Sequence, residues 1–139
     1  MQLGFVTAIV PEIPLAKVLE FAREERFQCI EVMCWPKGRA ERKYAGVTHL
    51  DVDGLTQARA DDVLALASDH GVSFSALGYY PNPLDPDPAV ARVAVAHLRR
   101  VIAAAAKLKL RTVNTFVGRD WSRSVDDNWP RFLKTWRPL

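Results

Sequence analysis

The 139-residue chain has no apolar run near the roughly 18–20 residues that a membrane-spanning helix needs. Its first ten residues lack the basic start and cleavage site of a secretory signal and read as a strand instead. Both absences point to the cytoplasm. Cysteine is scarce: only Cys29 and Cys34 occur, five positions apart on one predicted strand. The side-chain period of two sends them to opposite faces, which disfavours a disulfide or a shared metal. Buried structural thiols in a reducing compartment are the expectation. No run of five basic residues occurs and the net charge is only +3. Neither nucleic acid nor a membrane surface is therefore an expected partner.

Chemical motifs are missing too. There is no G-x-G-x-x-G or G-x-x-x-x-G-K to cradle phosphates, and no G-x-S-x-G to carry a nucleophile. No H-E-x-x-H, C-x-x-C or acidic cluster suggests a metal. Asp85 with Asp87, and Asp126 with Asp127, suit turns and helix caps. On these residues alone the chain holds no convincing catalytic centre.

What is present is alternation. Strands are expected at about 3–8, 28–34, 72–79 and 112–117, with helices at about 14–26, 56–70 and 88–108. Gly71 sits where a left-handed helix cap belongs, and Asp87-Pro88 makes an N-cap followed by a first-turn proline. A last periodic segment, 129–139, puts Trp129, Phe132, Leu133 and Trp136 on one stripe. Strands alternating with helices argue a parallel sheet with right-handed crossovers. The turn after the first strand, Ala8-Ile9-Val10-Pro11-Glu12, lacks the glycines of a doubly wound nucleotide binder. The expected fold is thus α/β, the first half (about four β/α units) of a (β/α)8 barrel. It forms a single partial domain over 1–139 that stops inside its fourth helix.

Barrel chemistry sits at the C-terminal strand ends. Those ends supply Phe5, Glu31, Trp35, Tyr79, Tyr80, Asn82, Asn114 and Phe116, an aromatic and amide set suited to sugars. Phe5 and Phe116 also suit core filling. Tyr79 and Tyr80 are adjacent, so one faces in and the other out. Trp35 before Pro36 fits either a loop anchor or a pocket wall. Glu31 is a carboxylate among apolar residues and needs a partner, either a ligand, a metal-bound water or a structural group. His49, in a long polar loop, fits either a proton carrier or a solvated histidine. His70 suits a helix C-terminus, and His97 falls between the core stripe and the exposed face of its helix.

Three motifs then carry a resemblance: Ile30-Glu31-Val32-Met33-Cys34-Trp35-Pro36, Ala76-Leu77-Gly78-Tyr79-Tyr80-Pro81-Asn82-Pro83-Leu84, and Val113-Asn114-Thr115-Phe116-Val117-Gly118-Arg119-Asp120. With Asn128-Trp129-Pro130-Arg131-Phe132 they resemble the xylose-isomerase-like barrels known as sugar phosphate isomerases/epimerases. The resemblance covers essentially the whole chain. It implies a full-length barrel binding one divalent metal (Mn, Mg or Co) through a Glu, an Asp, a His and a second Glu on strands five to eight. Two of those acids move a proton beside a carbonyl. Those strands lie outside this chain, so no catalytic or metal residue carries over. What carries over is a substrate-binding wall for a sugar or sugar phosphate: Phe5, Glu31, Trp35, Tyr79, Asn82, Asn114, Phe116 and, more loosely, His49. The same superfamily contains abasic-site endonucleases with metal-binding histidines at the ends of strands three and four. Here those ends hold Tyr79/Tyr80 and Phe116/Val117, which disfavours a nuclease. The chain alone is expected to be inactive. The alternative is a half-barrel binding module that homodimerises through its open sheet edges and binds a small polyol.

Overall fold

The computed structural model describes residues 1–38 and 45–139. Its elements run β1 (Gly4–Val6), α1 (Leu15–Glu24), β2 (Cys29–Met33), α2 (Gln57–Asp69), β3 (Ser73–Gly78), α3 (Pro88–Lys107), β4 (Val113–Asn114) and α4 (Val125–Trp136), with one 3-10 turn at Thr7–Ile9. The strands form one parallel sheet in the order β1-β2-β3-β4. This is the alternating α/β architecture that the periodicity predicts.

Local chemistry sets the boundaries. Thr56 caps α2 by accepting from the Arg59 N–H at 3.2 Å, and Asp87 caps α3 by accepting from Ala89 at 2.7 Å. Gly71 closes α2 at φ +67°, a conformation that costs a residue with a Cβ more than glycine. β4 is shorter than predicted; among the described residues it pairs with β3 alone, at Leu77↔Val113 and Gly78↔Asn114. The loop after β2, within its described part, turns back on the strand. Thr48 bridges Cys34, and the His49 N–H donates to the Met33 carbonyl at 3.0 Å.

The main core lies between the sheet and the helices. Ile30, Val32 and Leu77 meet Val18, Leu19 and Ala22 of α1, Ala60 of α2, and Leu98 and Val101 of α3. Cys34 joins this core, while Cys29 lies under Gly4 on the other face. Both thiols are free and buried, and burial pushes the Cys34 thiol well above its usual range.

Two helical expectations need correction. His97 is not at the margin of its helix; it is 1% exposed. Its Nε2 donates to the Cys34 carbonyl at 2.7 Å, its Nδ1 accepts from Arg100 at 3.2 Å, and Arg100 pairs with Asp53 at 2.6 Å. These contacts supply the partners that burying a histidine requires. In α4 the helix starts at Val125, capped by Ser124, and ends at Trp136 rather than running to Leu139. Trp129 lies outside the core stripe, 56% exposed, because the helix turns Asn128 inward to bond the Asp120 carbonyl at 3.0 Å.

Candidate functional site: the inner face of the sheet

Strand pairing decides which side chains share a face. Val6 pairs with Glu31, Glu31 with Ala76, Met33 with Gly78, and Gly78 with Asn114. Pairing shifts between Ile30 and Glu31, where β3 passes over Ser75, and so brings Ala76 and Gly78 to the face opposite the helices. On that inner face the Glu31 carboxylate lies across β3. A Cβ at Gly78 would strike Glu31 Oε1 and would come within 2.8 Å of Met33 Sδ. Glycine leaves the space through which Glu31 reaches β4.

There Asn114 Nδ2 donates to Glu31 Oε2 at 2.6 Å, and the Tyr80 hydroxyl donates to Oε1. Burial first, and then the neighbouring Glu31 carboxylate, push the Tyr80 phenol far above its usual range. Tyr80 remains a neutral donor at any physiological pH. Its ring lies 5.1 Å from that of Phe116, tilted by 57°. A small apolar cluster of Ala8, Met33 and Val47, flanked by Val6, Trp35 and Tyr80, borders the carboxylate. The result is a wall with one anionic, doubly anchored acceptor set among aromatic and apolar surfaces. Phe116, 60% exposed, stands open to solvent at its edge.

The structure sorts the predicted residues. Glu31, Asn114 and Phe116 share this face. Phe5 does not: it pairs with Ile30 and packs edge-on against Phe21 and Phe27 at 5.8 and 5.0 Å, on the α1 side. Tyr79 is also a correction. It is 3% exposed on the helix side, edge-on to His97 at 4.6 Å and to Trp35 at 5.0 Å. Burial raises its phenol to about 12. Tyr80 takes the inward position, two residues beyond Gly78.

Asn82 spends its amide on the loop after β4. Its Oδ1 accepts from the Arg119 N–H at 2.9 Å and its Nδ2 donates to the Arg119 carbonyl at 2.9 Å. Gly118, at φ +75°, fits against Asn82 and Pro83 where a Cβ would clash. Asn82 therefore shapes the rim. Trp35 sits at the margin of both apolar clusters, and its buried indole N–H finds no acceptor among the described residues. His49 bridges two loops, its Nε2 meeting the Ile13 carbonyl at 3.0 Å. Burial lowers its pKa against the opposing pull of backbone carbonyls, so it is neutral near pH 7.

Sequence reasoning counted Tyr80 among the strand ends but placed Tyr79 on the wall instead, and gave Gly78 no role. The available signal was the shared parity of Ala76, Gly78 and Tyr80, obscured by the register shift upstream. Among the described residues no three His, Cys, Asp or Glu side chains come together to hold a metal ion. The described residues of this face therefore do not by themselves fit a metal site.

Known proteins share this fold. D-psicose 3-epimerase from Clostridium cellulolyticum H10, solved with D-tagatose, superposes with a TM-score of 0.68 at 16% identity, over 99% of this chain and 47% of that one. A probable 3-DHS dehydratase from Bacillus anthracis gives 0.63 at 13% identity, over 96% and 45%. A xylose isomerase domain protein from Alicyclobacillus acidocaldarius gives 0.54 at 21% identity, over 97% and 42%. The chain spans about half the length of each of these structures. A search of curated proteins returns no sequence match. The family profile described as xylose isomerase-like TIM barrel matches residues 19–139, and the chain belongs to that family.

Proposed function

We propose that this chain supplies the substrate-holding wall of a sugar or sugar phosphate isomerase/epimerase barrel. Glu31 is the central contact, with Tyr80, Asn114 and Phe116 around it. The observation that carries the reading is the Glu31 carboxylate on the inner face, anchored by two donors across the gap left by Gly78. Held this way, each oxygen keeps a lone pair with which it can accept a ligand hydroxyl. The aromatic faces of Tyr80 and Phe116 suit the C–H faces of a sugar carbon chain. The divalent metal and the acids that move the proton belong, in this reading, to strands outside the chain. The wall binds and orients but does not turn substrate over. Two free buried thiols agree with a reducing, cytoplasmic setting. Among the described residues no helix is long and apolar enough to cross a membrane.

Ligand-observed NMR with D-fructose as the probe tests this. Weak saturation transfer is expected from the wild-type chain and a several-fold weaker signal from Glu31→Gln, which keeps the shape but loses the anionic acceptor. Adding Mn2+ is expected to produce no epimerised ketose. Equal transfer from both proteins, or no transfer from either, removes Glu31 from the role. Chelator-sensitive turnover by the pure chain overturns the division of labour.

A further inference from the structure

We infer that the groove between α3 and α4 is a docking site for an acidic, extended segment of a partner protein. The groove has a volume of about 910 Å3 and lies on the helix side of the sheet, away from the Glu31 wall. Its walls are two consecutive helices of this chain, so it exists whether or not further strands follow β4. Pro88, Ala91 and Val95 stand at i, i+3 and i+7 of α3 and so share one face of that helix. With Pro83 and Pro130 they make a floor that carries no polar side-chain atom. Four cations line the same groove: Arg92 and Arg99 from α3, and Arg131 and Lys134 from α4. No Asp or Glu lines it.

The contacts of these cations leave their charge available. Arg99 donates to the Pro138 carbonyl at 3.3 Å and Arg131 to the Asp85 carbonyl, both neutral acceptors. The carboxylate nearest Arg131 is Asp120, at 3.8 Å, and it is already bonded by Ser122 and paired with Arg123 at 3.3 Å. Arg92 and Lys134 are exposed and have no carboxylate partner among the described residues. Asp85, Asp87 and Asp127, close in sequence to the lining, spend oxygens on the Asp87 N–H, the Ala89 N–H and the Ser124 hydroxyl. The groove is open along its length, which suits a chain laid across it more than a small ligand that must be mostly buried. Arg92 and Arg99 are two helical turns apart, about 10 Å along the axis. Three residues of extended chain cover that distance at about 3.3 Å each. A segment with apolar residues for the floor and carboxylates for the cations matches both features, since a guanidinium binds a carboxylate through paired N–H donors. The inference rests on the helix layer and is independent of which ligand the inner face holds.

Fluorescence anisotropy on the full 139-residue chain tests it. The probe is a fluorescein-labelled octapeptide of alternating Glu and Leu, and the octapeptide of alternating Lys and Leu is its charge-reversed control. Saturable binding of the acidic probe alone is expected, weakened several-fold between about 50 and about 300 mM sodium chloride. Arg92→Glu with Lys134→Glu is expected to weaken it about tenfold. Ala96→Trp fills the groove without changing charge and is expected to weaken it to a similar degree. Arg23→Glu with Arg59→Glu makes the same change in net charge on α1 and α2 and is expected to leave affinity within about twofold. All of these residues are exposed, so folding is retained, which circular dichroism verifies. No saturable binding, equal binding of the basic peptide, or binding that survives the Arg92 and Lys134 substitutions overturns the inference. Equal loss in the Arg23 and Arg59 variant reports net charge only and also overturns it. Displacement by about 5 mM inorganic phosphate together with no effect of Ala96→Trp reports a simple anion site and overturns the peptide assignment.

Discussion

Replacing Gly78 with alanine is expected to break the Glu31 cluster without altering any of its members. Gly78 has ordinary backbone angles, so the strand itself accepts alanine. The added methyl would strike Glu31 Oε1 and crowd Met33 Sδ at 2.8 Å and the Tyr80 ring at 3.2 Å. Glu31 and Met33 can swing aside, so the fold survives. The carboxylate then leaves its 2.6 Å bond from Asn114 and its bond from Tyr80. A hydrogen bond to a charged group is worth about 1.5–3 kcal/mol. Glu31 is half-buried and water takes back part of the loss, so the low end applies, about 3 kcal/mol for the two bonds. Alanine restricts the unfolded chain and returns about 0.4–1 kcal/mol. The net cost is about 2 kcal/mol, a sizeable share of a typical domain stability of about 5–15 kcal/mol. Urea denaturation at fixed protein concentration measures it, since association also shifts apparent stability. A double-mutant cycle isolates the cause. In a Glu31→Ala background the obstructed carboxylate is gone, and Gly78→Ala is expected to be nearly neutral. Equal costs with and without Glu31 would refute the argument.

Tyr80→Phe removes one donor from Glu31 and is expected to cost about 1–2 kcal/mol of stability by urea denaturation, while Tyr79→Phe, whose hydroxyl has no hydrogen bond among the described residues, is expected to cost less. Both phenols are raised above 10 in the folded chain, so the stability they contribute is intact below pH 10 and falls as pH rises toward their folded values. Absorbance at 295 nm checks this, and a tyrosine titrating near 10 for every residue would contradict it. His49 has the opposite sign for a base: its folded value is lowered from 6.5, so the unfolded chain takes up the proton first and stability is lost as pH falls below 6.5. Comparing urea midpoints at pH 7.5 and 5.5, this acid sensitivity is expected to shrink in His49→Gln. Asp87→Ala is expected to cost about 1 kcal/mol through the lost cap on α3, and no change in midpoint would count against the cap.

Much of the architecture is legible in the sequence. Helix stripes, the glycine at position 71 and the Asp87-Pro88 pair act locally, through backbone angles and first-turn hydrogen bonds, and they gave elements within a few residues of those observed. The ends were less legible. β4 is shorter than predicted, pairing with β3 alone among the described residues, and the α4 stripe did not reveal that Asn128 would displace Trp129 from the core. In the site, Glu31 stood out as a lone acid in an apolar strand. Tyr80 and Asn114 stood among the strand-end candidates, but their bonds to Glu31 did not show, because they lie 49 and 83 residues away in sequence.

The sequence by itself determined the order of strands and helices, the parallel sheet and the presence of a buried-strand acid that needed company. These follow from periodicity and from the cost of burying charge, both readable one segment at a time. Only the tertiary structure decided which tyrosine faces inward, that Phe5 belongs to the α1 side, and that His97 is buried on the Cys34 carbonyl. Those outcomes turn on strand register. In a period-two element a shift of one residue exchanges the two faces, and the shift between Ile30 and Glu31 is set by how neighbouring strands pack rather than by any residue alone.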